Sequence, residues 1–241
     1  MSTTDIRRAR DRFHTEIDWL DSWHSFSFSD HYDAKNTHHG LLLVLNDDLI
    51  SAGGGFGTHP HRDMEIVTWV LDGALEHRDS EGNEGVITRG VAQRMSAGRG
   101  IRHSEKNASN AEAVRLLQMW IPPDAASLTP SYEQRDISEQ KVDDELFPLA
   151  SGRDPEAAIE LHQRDATLWV ATLRAGARVV VPDAPFVHVM VSTGAATLDR
   201  TNALAAGDAV RLTDAGRLEL VAVEDDTEIT IWEMWADLTV G

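Results

Sequence analysis

Apolar residues in this chain come in short β-branched or aromatic runs rather than at helical spacing. In the first half they occupy residues 41–45, 66–71, 86–88 and 114–121, with polar or turn-forming residues between them. Runs of this length, separated by turn residues, predict the strands of an all-β sandwich or barrel. Asn46-Asp47-Asp48, Asp72-Gly73 and Ser80-Glu81-Gly82-Asn83 are the predicted turns. Such residues hydrogen-bond their own backbone or adopt left-handed conformations at little cost. Pro122-Pro123 closes the series. Residues 124–165 are polar and proline-punctuated, with an acidic cluster at Asp143-Asp144-Glu145. They carry neither a firm strand pattern nor a helical one and are expected to connect two domains. Strand signals resume at 168–173, 178–181, 187–191, 209–212, 218–223 and 229–235.

The two halves can be laid on each other at an offset of about 120 residues. Val70-Leu71-Asp72-Gly73-Ala74 matches Val191-Ser192-Thr193-Gly194-Ala195 in pattern, and the segment from Gly90 to Ser96 matches that from Gly207 to Thr213. A repeat of this kind predicts tandem domains, placed at 1–133 and 134–241. Carried across it, His59 and His61 fall near Val180 and Pro182, and His103 and Glu105 near Leu220 and Ala222. The second domain is therefore expected to hold no metal.

Composition narrows the function classes. At 241 residues, 41% hydrophobic and 26% charged, the chain is that of an ordinary globular protein. No apolar run approaches the roughly 18 residues of a membrane-spanning helix. Residues 2–8 carry no apolar stretch behind their basic residues, so a cytoplasmic location is expected. A net charge of -18 argues against nucleic acid or an anionic membrane as a direct partner. The acid is concentrated in residues 123–241, with 22 Asp or Glu against 9 Lys or Arg, and this half offers a docking surface for a protein partner. There is no cysteine, which removes thiolate metal sites and a Cys nucleophile. Nine of the eleven histidines precede position 122, so imidazole chemistry belongs to the first half.

Two pairs of residues carry that chemistry. His59 and His61 are two apart, as are His103 and Glu105 about forty residues later. On a strand, residues i and i+2 point to one face roughly 7 Å apart, so two such pairs on neighbouring strands converge on a common centre. Three imidazoles and one carboxylate suit one divalent ion, whether Fe(II), Mn(II), Ni(II), Cu(II) or Zn(II). Glu65 competes with Glu105 for the carboxylate position, because it has the same strand parity as His61. Spacing leaves that choice open. The remaining aromatic and imidazole groups read as structural. His24, His31, His38, His39 and His77 are expected to be structural or solvent-facing. Trp19, Trp23, Phe26 and Phe28 are expected in the core rather than at the mouth of a site. Trp69 and Trp120 read as packing residues, and His188 as a satisfied core or surface histidine.

Several segments resemble the pirin family within the cupins. They are Trp19-Leu-Asp-Ser-Trp23-His24-Ser-Phe26-Ser-Phe28, Phe56-Gly-Thr-His-Pro-His-Arg-Asp-Met-Glu65, Leu75-Glu-His77-Arg-Asp-Ser80, Met95-Ser-Ala-Gly-Arg-Gly-Ile-Arg-His-Ser-Glu105 and Leu117-Gln-Met-Trp120-Ile-Pro-Pro. The resemblance implies two jelly-roll-type cupin β-barrels in tandem, with little helix. It favours Glu105 as the fourth ligand beside His59, His61 and His103, and leaves Glu65 as an acceptor that orients a ligand imidazole. It also implies quercetin 2,3-dioxygenase-like activity, in which Fe(II) is favoured, a flavonol or related enol reacts with O2, and Glu105 serves as general base. The rival reading is a metal-dependent interaction or redox-sensing protein without turnover. A hydrolytic zinc site is a third.

Overall fold

The computed structural model describes residues 2–140 and 143–238. Apart from a 3-10 turn at Ala9–Asp11, all regular structure among them is strand. The chain begins with β1 (Thr3–Arg7), β2 (Phe13–Ile17), β3 (Leu20–His24), β4 (Val44–Ile50), β5 (Gly55–His61) and β6 (Glu65–Asp72). It continues through β7 (Ala74–Asp79), β8 (Glu84–Thr88), β9 (Val91–Ser96), β10 (Ile101–Asn107), β11 (Val114–Ile121) and β12 (Ser131–Asp136). The second half supplies β13 (Phe147–Ser151), β14 (Ile159–Glu160), β15 (Ala166–Leu173), β16 (Arg178–Val181) and β17 (Phe186–Thr193). It ends with β18 (Ala195–Leu198), β19 (Asn202–Ala205), β20 (Ala209–Thr213), β21 (Leu218–Ala222) and β22 (Thr227–Met234).

These strands form two pairs of sheets. A seven-stranded sheet, β12-β9-β6-β11-β4-β3-β2, packs on a four-stranded one, β5-β10-β7-β8. The second pair has the same plan, with β1-β20-β17-β22-β15-β13-β14 on β16-β21-β18-β19. The repeat is visible at its hairpins. Gly73 and Gly194 turn them with φ of +79° and +73°, and at either position a Cβ would lie 2.9 Å from the Cα of Val114 or Thr227 on the next strand. Only glycine meets both demands.

The architecture corrects several expectations. The fold is all-β with two cupin-like halves, but the sheets do not close into barrels. Asn46-Asp47-Asp48 is no turn. It lies inside β4, where Asn46 and Asp48 face the four-stranded sheet and Asp47 faces the other way to accept from Arg115 at 2.9 Å. Tertiary pairing to β3 and β11 overrides the local turn preference there. The expected connection, 124–165, contains β12, β13 and β14. They were illegible because β12 is a polar edge strand and the other two are short. The division after residue 133 falls inside β12, and β1 joins β20 in the second half's sheet. Residues 141 and 142 of the expected connection lie outside the described residues.

Strands of the large sheets are buried on both faces. The second pair of sheets encloses an apolar core of Val187, Val189, Ile229 and Ile231 against Val181, Leu198 and Leu220. Between the two large sheets lies another, made by Val67, Trp69, Leu117 and Met119 of the first half and Leu168, Val170, Met190 and Trp232 of the second. One buried acid crosses this layer. Glu228 accepts from Trp69 Nε1 at 2.5 Å and pairs with Arg89 at 2.7 Å. Removing it leaves the Trp69 N–H unpaired in a dry interface, whereas Arg89, half exposed, can turn to water. Glu228→Ala is expected to lower the unfolding free energy by about 2–4 kcal/mol in urea denaturation. A loss under about 1 kcal/mol would show that the interface does not depend on this acid.

Candidate metal centre

Three of the four residues picked out by spacing, His59, His61 and His103, meet on β5 and β10 of the small sheet, and Glu105 stands beside His103 and His77. These strands are antiparallel neighbours, with His103 directly opposite His59 and Ile101 opposite His61. A bulge between His103 and Glu105 puts Glu105 opposite Phe56 and re-aims the end of the strand. Ring centroids lie 4.8 Å apart for His59 and His61, 4.4 Å for His59 and His103, and 4.8 Å for His61 and His103. One ring nitrogen from each of the three lies within 4.8 Å of the others. The Glu105 carboxylate is 3.9 Å from His103 Nε2.

Hydrogen bonding leaves the inward nitrogens without partners. His59 donates from Nδ1 to the Gly57 carbonyl at 2.8 Å, which leaves its Nε2 as the lone-pair atom. The Nε2 atoms of His61 and His103 are buried and have no hydrogen-bond partner. A buried, unpaired ring nitrogen costs about 1–3 kcal/mol, so two of them in one cluster call for a shared partner. Burial, reinforced by the neighbouring imidazoles, pushes His61 down to about 4 and His103 to about 2. Both are neutral at physiological pH, as metal ligands must be. Burial raises Glu105 to about 7 against the opposing hydrogen bond from Gln118. Gln118 Nε2 donates to the carboxylate at 2.8 Å and its Oε1 accepts from Trp120 Nε1 at 3.1 Å, so the amide is held from both ends. This donor set fits a divalent transition metal.

Sequence reasoning missed His77. It is buried beside the cluster with its Nδ1 3.5 Å from His103 Nδ1, its Nε2 3.4 Å from Asp79, and its ring stacked on Tyr132. If His103 presents Nε2 inward, its Nδ1–H points at His77 Nδ1, and His77 Nε2–H points at Asp79. Asp79 is itself held by Glu81 and Asn83. This is the outer support that metal-bound imidazoles take. The available signal was His77-x-Asp79, one more i, i+2 pair on a strand.

Glu65 lies elsewhere. It opens β6 on the side of Val67 and Trp69, toward the second half, and its carboxylate accepts from Ser96 Oγ at 2.9 Å and the His162 N–H at 3.1 Å. Strand parity counted from His61 does not pass through the turn at residues 62–64, where Asp63 has φ of +49°. His188 is not satisfied: it is buried, and neither ring nitrogen has a partner. Trp120 and Phe28, expected as packing and core residues, line a cavity of about 230 Å³ that opens onto His59, His61 and Glu105. Its far wall belongs to β3 and β4, with Ser22, His24, Asn46 and Asp48. Trp120 stands edge-on to His61 at 4.8 Å. On β11, Gln118 and Trp120 face this cavity, which periodicity could not show because Leu117, Met119 and Ile121 on the other side are buried as well. Phe26 does belong to the core between the halves.

Residues 5–121 match the Pirin family, and residues 149–234 match the quercetinase C-terminal cupin domain. A Mycobacterium tuberculosis protein named "Putative quercetin 2,3-dioxygenase" is 55% identical over 98% of this chain and 97% of its own length. A protein of Escherichia coli K12 named "Quercetin 2,3-dioxygenase" is 54% identical over 54% of this chain and 56% of its own. Among solved structures, the bacterial pirin YhhW of Escherichia coli in complex with nickel(II) superposes with a TM-score of 0.89 at 36% identity, covering 97% of this chain and 100% of that one. Two cupin-like halves of one plan, an imidazole cluster in the first, and identity sustained along nearly the whole length make this chain a member of the pirin family.

Proposed function

We propose that this protein is a metal-dependent dioxygenase that opens flavonols of the quercetin type or related enols, with the metal held by His59, His61, His103 and Glu105. The observation that carries the reading is the pair of buried, unpartnered Nε2 atoms of His61 and His103, beside His59 and Glu105, at the end of an aromatic-lined cavity. The names of the relatives supply the substrate class. Fe(II) is favoured, and the first half is the metal-binding unit. A divalent metal at this position supplies a Lewis-acidic point for the enol oxygen and the redox chemistry by which O2 is used.

The protein's own groups do the rest. Burial keeps His61 and His103 neutral, so their lone pairs are free for a metal at physiological pH. Glu105 is the base for the enol hydroxyl proton, its carboxylate fixed by the Gln118 amide. Phe28, Phe56 and Trp120 line the cavity and take the flat faces of an aromatic ligand, excluding water from the reacting bond.

Purified protein is assayed for bound metal and for oxygen-dependent loss of quercetin absorbance. His103→Ala is expected to lose the metal and turnover together, by more than about 100-fold, exceeding the 10–100-fold typical of an outer support. Glu105→Gln keeps the shape and is expected to lower kcat by about 10²–10⁴-fold, the range of a lost general base. No metal-dependent loss of absorbance with quercetin or a panel of enols would remove the reading. His77→Phe preserves the ring against Tyr132 while deleting both nitrogen contacts, and is expected to weaken metal affinity by about 10–100-fold. An unchanged affinity, read by competition with a chelating dye, would mean that His103 is oriented by something else.

A further inference from the structure

The wall of the cavity opposite the imidazoles has no part in holding a metal, yet it is unusually polar for the inside of a sandwich. It is a cross-strand row on the large sheet. Ser22 on β3 stands opposite Asp48 on β4, and His24 stands opposite Asn46. All four are buried, with Asp48 only 2% exposed. The row is tied from behind. His31 Nε2 and His24 Nε2 both lie 3.0 Å from Thr15 Oγ1, and His24 Nδ1 lies 2.9 Å from Asn46 Oδ1. One assignment satisfies these contacts with neutral rings: His31 donates to Thr15, Thr15 donates to His24 Nε2, and His24 Nδ1–H donates to Asn46 Oδ1. The Asn46 amide is thereby fixed with its oxygen used and its N–H₂ group left to donate, and Asn46 lines the cavity.

Asp48 accepts from the Ser22 hydroxyl at Oδ1, and no other side chain among the described residues donates to it. Burial raises its pKa to about 7, against the Ser22 hydrogen bond. A buried acid with one hydroxyl for a partner weakens a fold. Here it faces a cavity, next to a fixed amide donor, on the sheet opposite the candidate metal ligands.

We propose that Asn46 and Asp48 form a hydroxyl-recognition subsite that selects flat aromatic substrates bearing phenolic groups besides the enol, on the wall of the cavity that faces the candidate metal ligands. The inference rests on the flavonol reading above and deepens it. Asp48 accepts a phenolic O–H, and Asn46 Nδ2 donates to a neighbouring ligand oxygen. Phe28, Phe56 and Trp120 hold the rings between the two walls. The histidines and Glu105 take the enol in any such ligand. Asn46 and Asp48 distinguish a hydroxylated flavonol from a bare one, because a site built to pair with a hydroxyl rejects the analogue that lacks it.

The test is binding without turnover. Nickel-loaded protein is titrated anaerobically with quercetin and with 3-hydroxyflavone, which keeps the enol and ketone but lacks the other hydroxyls. Tryptophan quenching gives each Kd. Wild type is expected to bind quercetin at least about tenfold more tightly, the effect of one hydrogen bond to a charged group. In Asp48→Asn, which is isosteric and removes a buried charge, and in Asp48→Ala, the ratio is expected to fall below about threefold. Metal content and circular dichroism establish that each variant is loaded and folded. Retention of the wild-type ratio in both variants, or no preference in wild type, overturns the subsite. Equal binding of the two flavonols with aerobic turnover leaves the dioxygenase reading standing and removes the subsite. A strong preference without oxygen consumption does the reverse, and binding of neither removes both.

Discussion

Back-to-back packing of the two seven-stranded sheets is the constraint on which the rest depends. Each large sheet must be apolar on the face it turns to the other, and Trp69, Leu117, Met119, Leu168, Met190 and Trp232 meet there. At roughly 1.5–3 kcal/mol per large side chain, this layer contributes more than the inner face of the first half can. That inner face carries His24, Asn46, Asp48, His77, His103, Glu105 and Gln118, all buried. Several of these have too few partners. Around them the apolar residues form a core of Leu20, Ile50, Val70, Leu75, Ile87 and Leu116 at one end and a smaller cluster of Ile66, Met95, Ala97 and Ile101. The layer between the halves, the larger of the apolar clusters, supports a first sandwich whose interior is only partly apolar, which leaves room in it for chemistry. A transferred edge strand works in the same direction. With β1 in the second half's sheet, the second half is not complete without the chain of the first.

The electrostatics of the imidazole cluster follow from that placement. The same burial that deprives His61 and His103 of water also holds them neutral and their Nε2 atoms unpaired. In a solvated site those nitrogens would be protonated part of the time and hydrogen-bonded to water for the rest, and both states compete with a metal. Here neither competitor is strong. Gln118 joins the two sheets across the cavity, since it comes from β11 and its amide holds the carboxylate of Glu105 on β10. The small sheet supplies the candidate ligands and the large sheet supplies their orientation and the opposite wall.

How much of this could be read from the residues depended on whether the signal was local. The H-x-H and H-x-E spacings needed only the two-residue period of a strand, and the structure gathers His59, His61 and His103 with Glu105 beside His103. The hairpin glycines Gly73 and Gly194 were legible for the same reason. Glu65 was placed by extending a count through a turn that breaks the period. Asn46-Asp47-Asp48 looked like a turn because nothing local says that polar residues in mid-strand face a cavity on one side and Arg115 on the other. The wall of Ser22, His24, Asn46 and Asp48 exists only after β3 and β4 pair, so no motif announces it. Trp120 was obscured by double-sided burial, which removes the alternation from which facing is inferred.

The second half shows how little of the chemistry is owed to the backbone. Its sheets repeat the strand order of the first, so β16 and β21 take the places of β5 and β10. Where the first half sets His103 opposite His59, the second sets Leu220 opposite Val179, and both are buried in an apolar core. The same pair of strands therefore packs equally well as a dry core or as a cluster of imidazoles. The difference lies in side chains alone, and its consequence is energetic. The second half gains burial at the positions where the first half accepts unpaired nitrogens and a buried acid. The two halves share one apolar layer, so the cost of the unpaired groups in the first is borne by a fold whose second copy packs Val179 and Leu220 at the matching pair of strands.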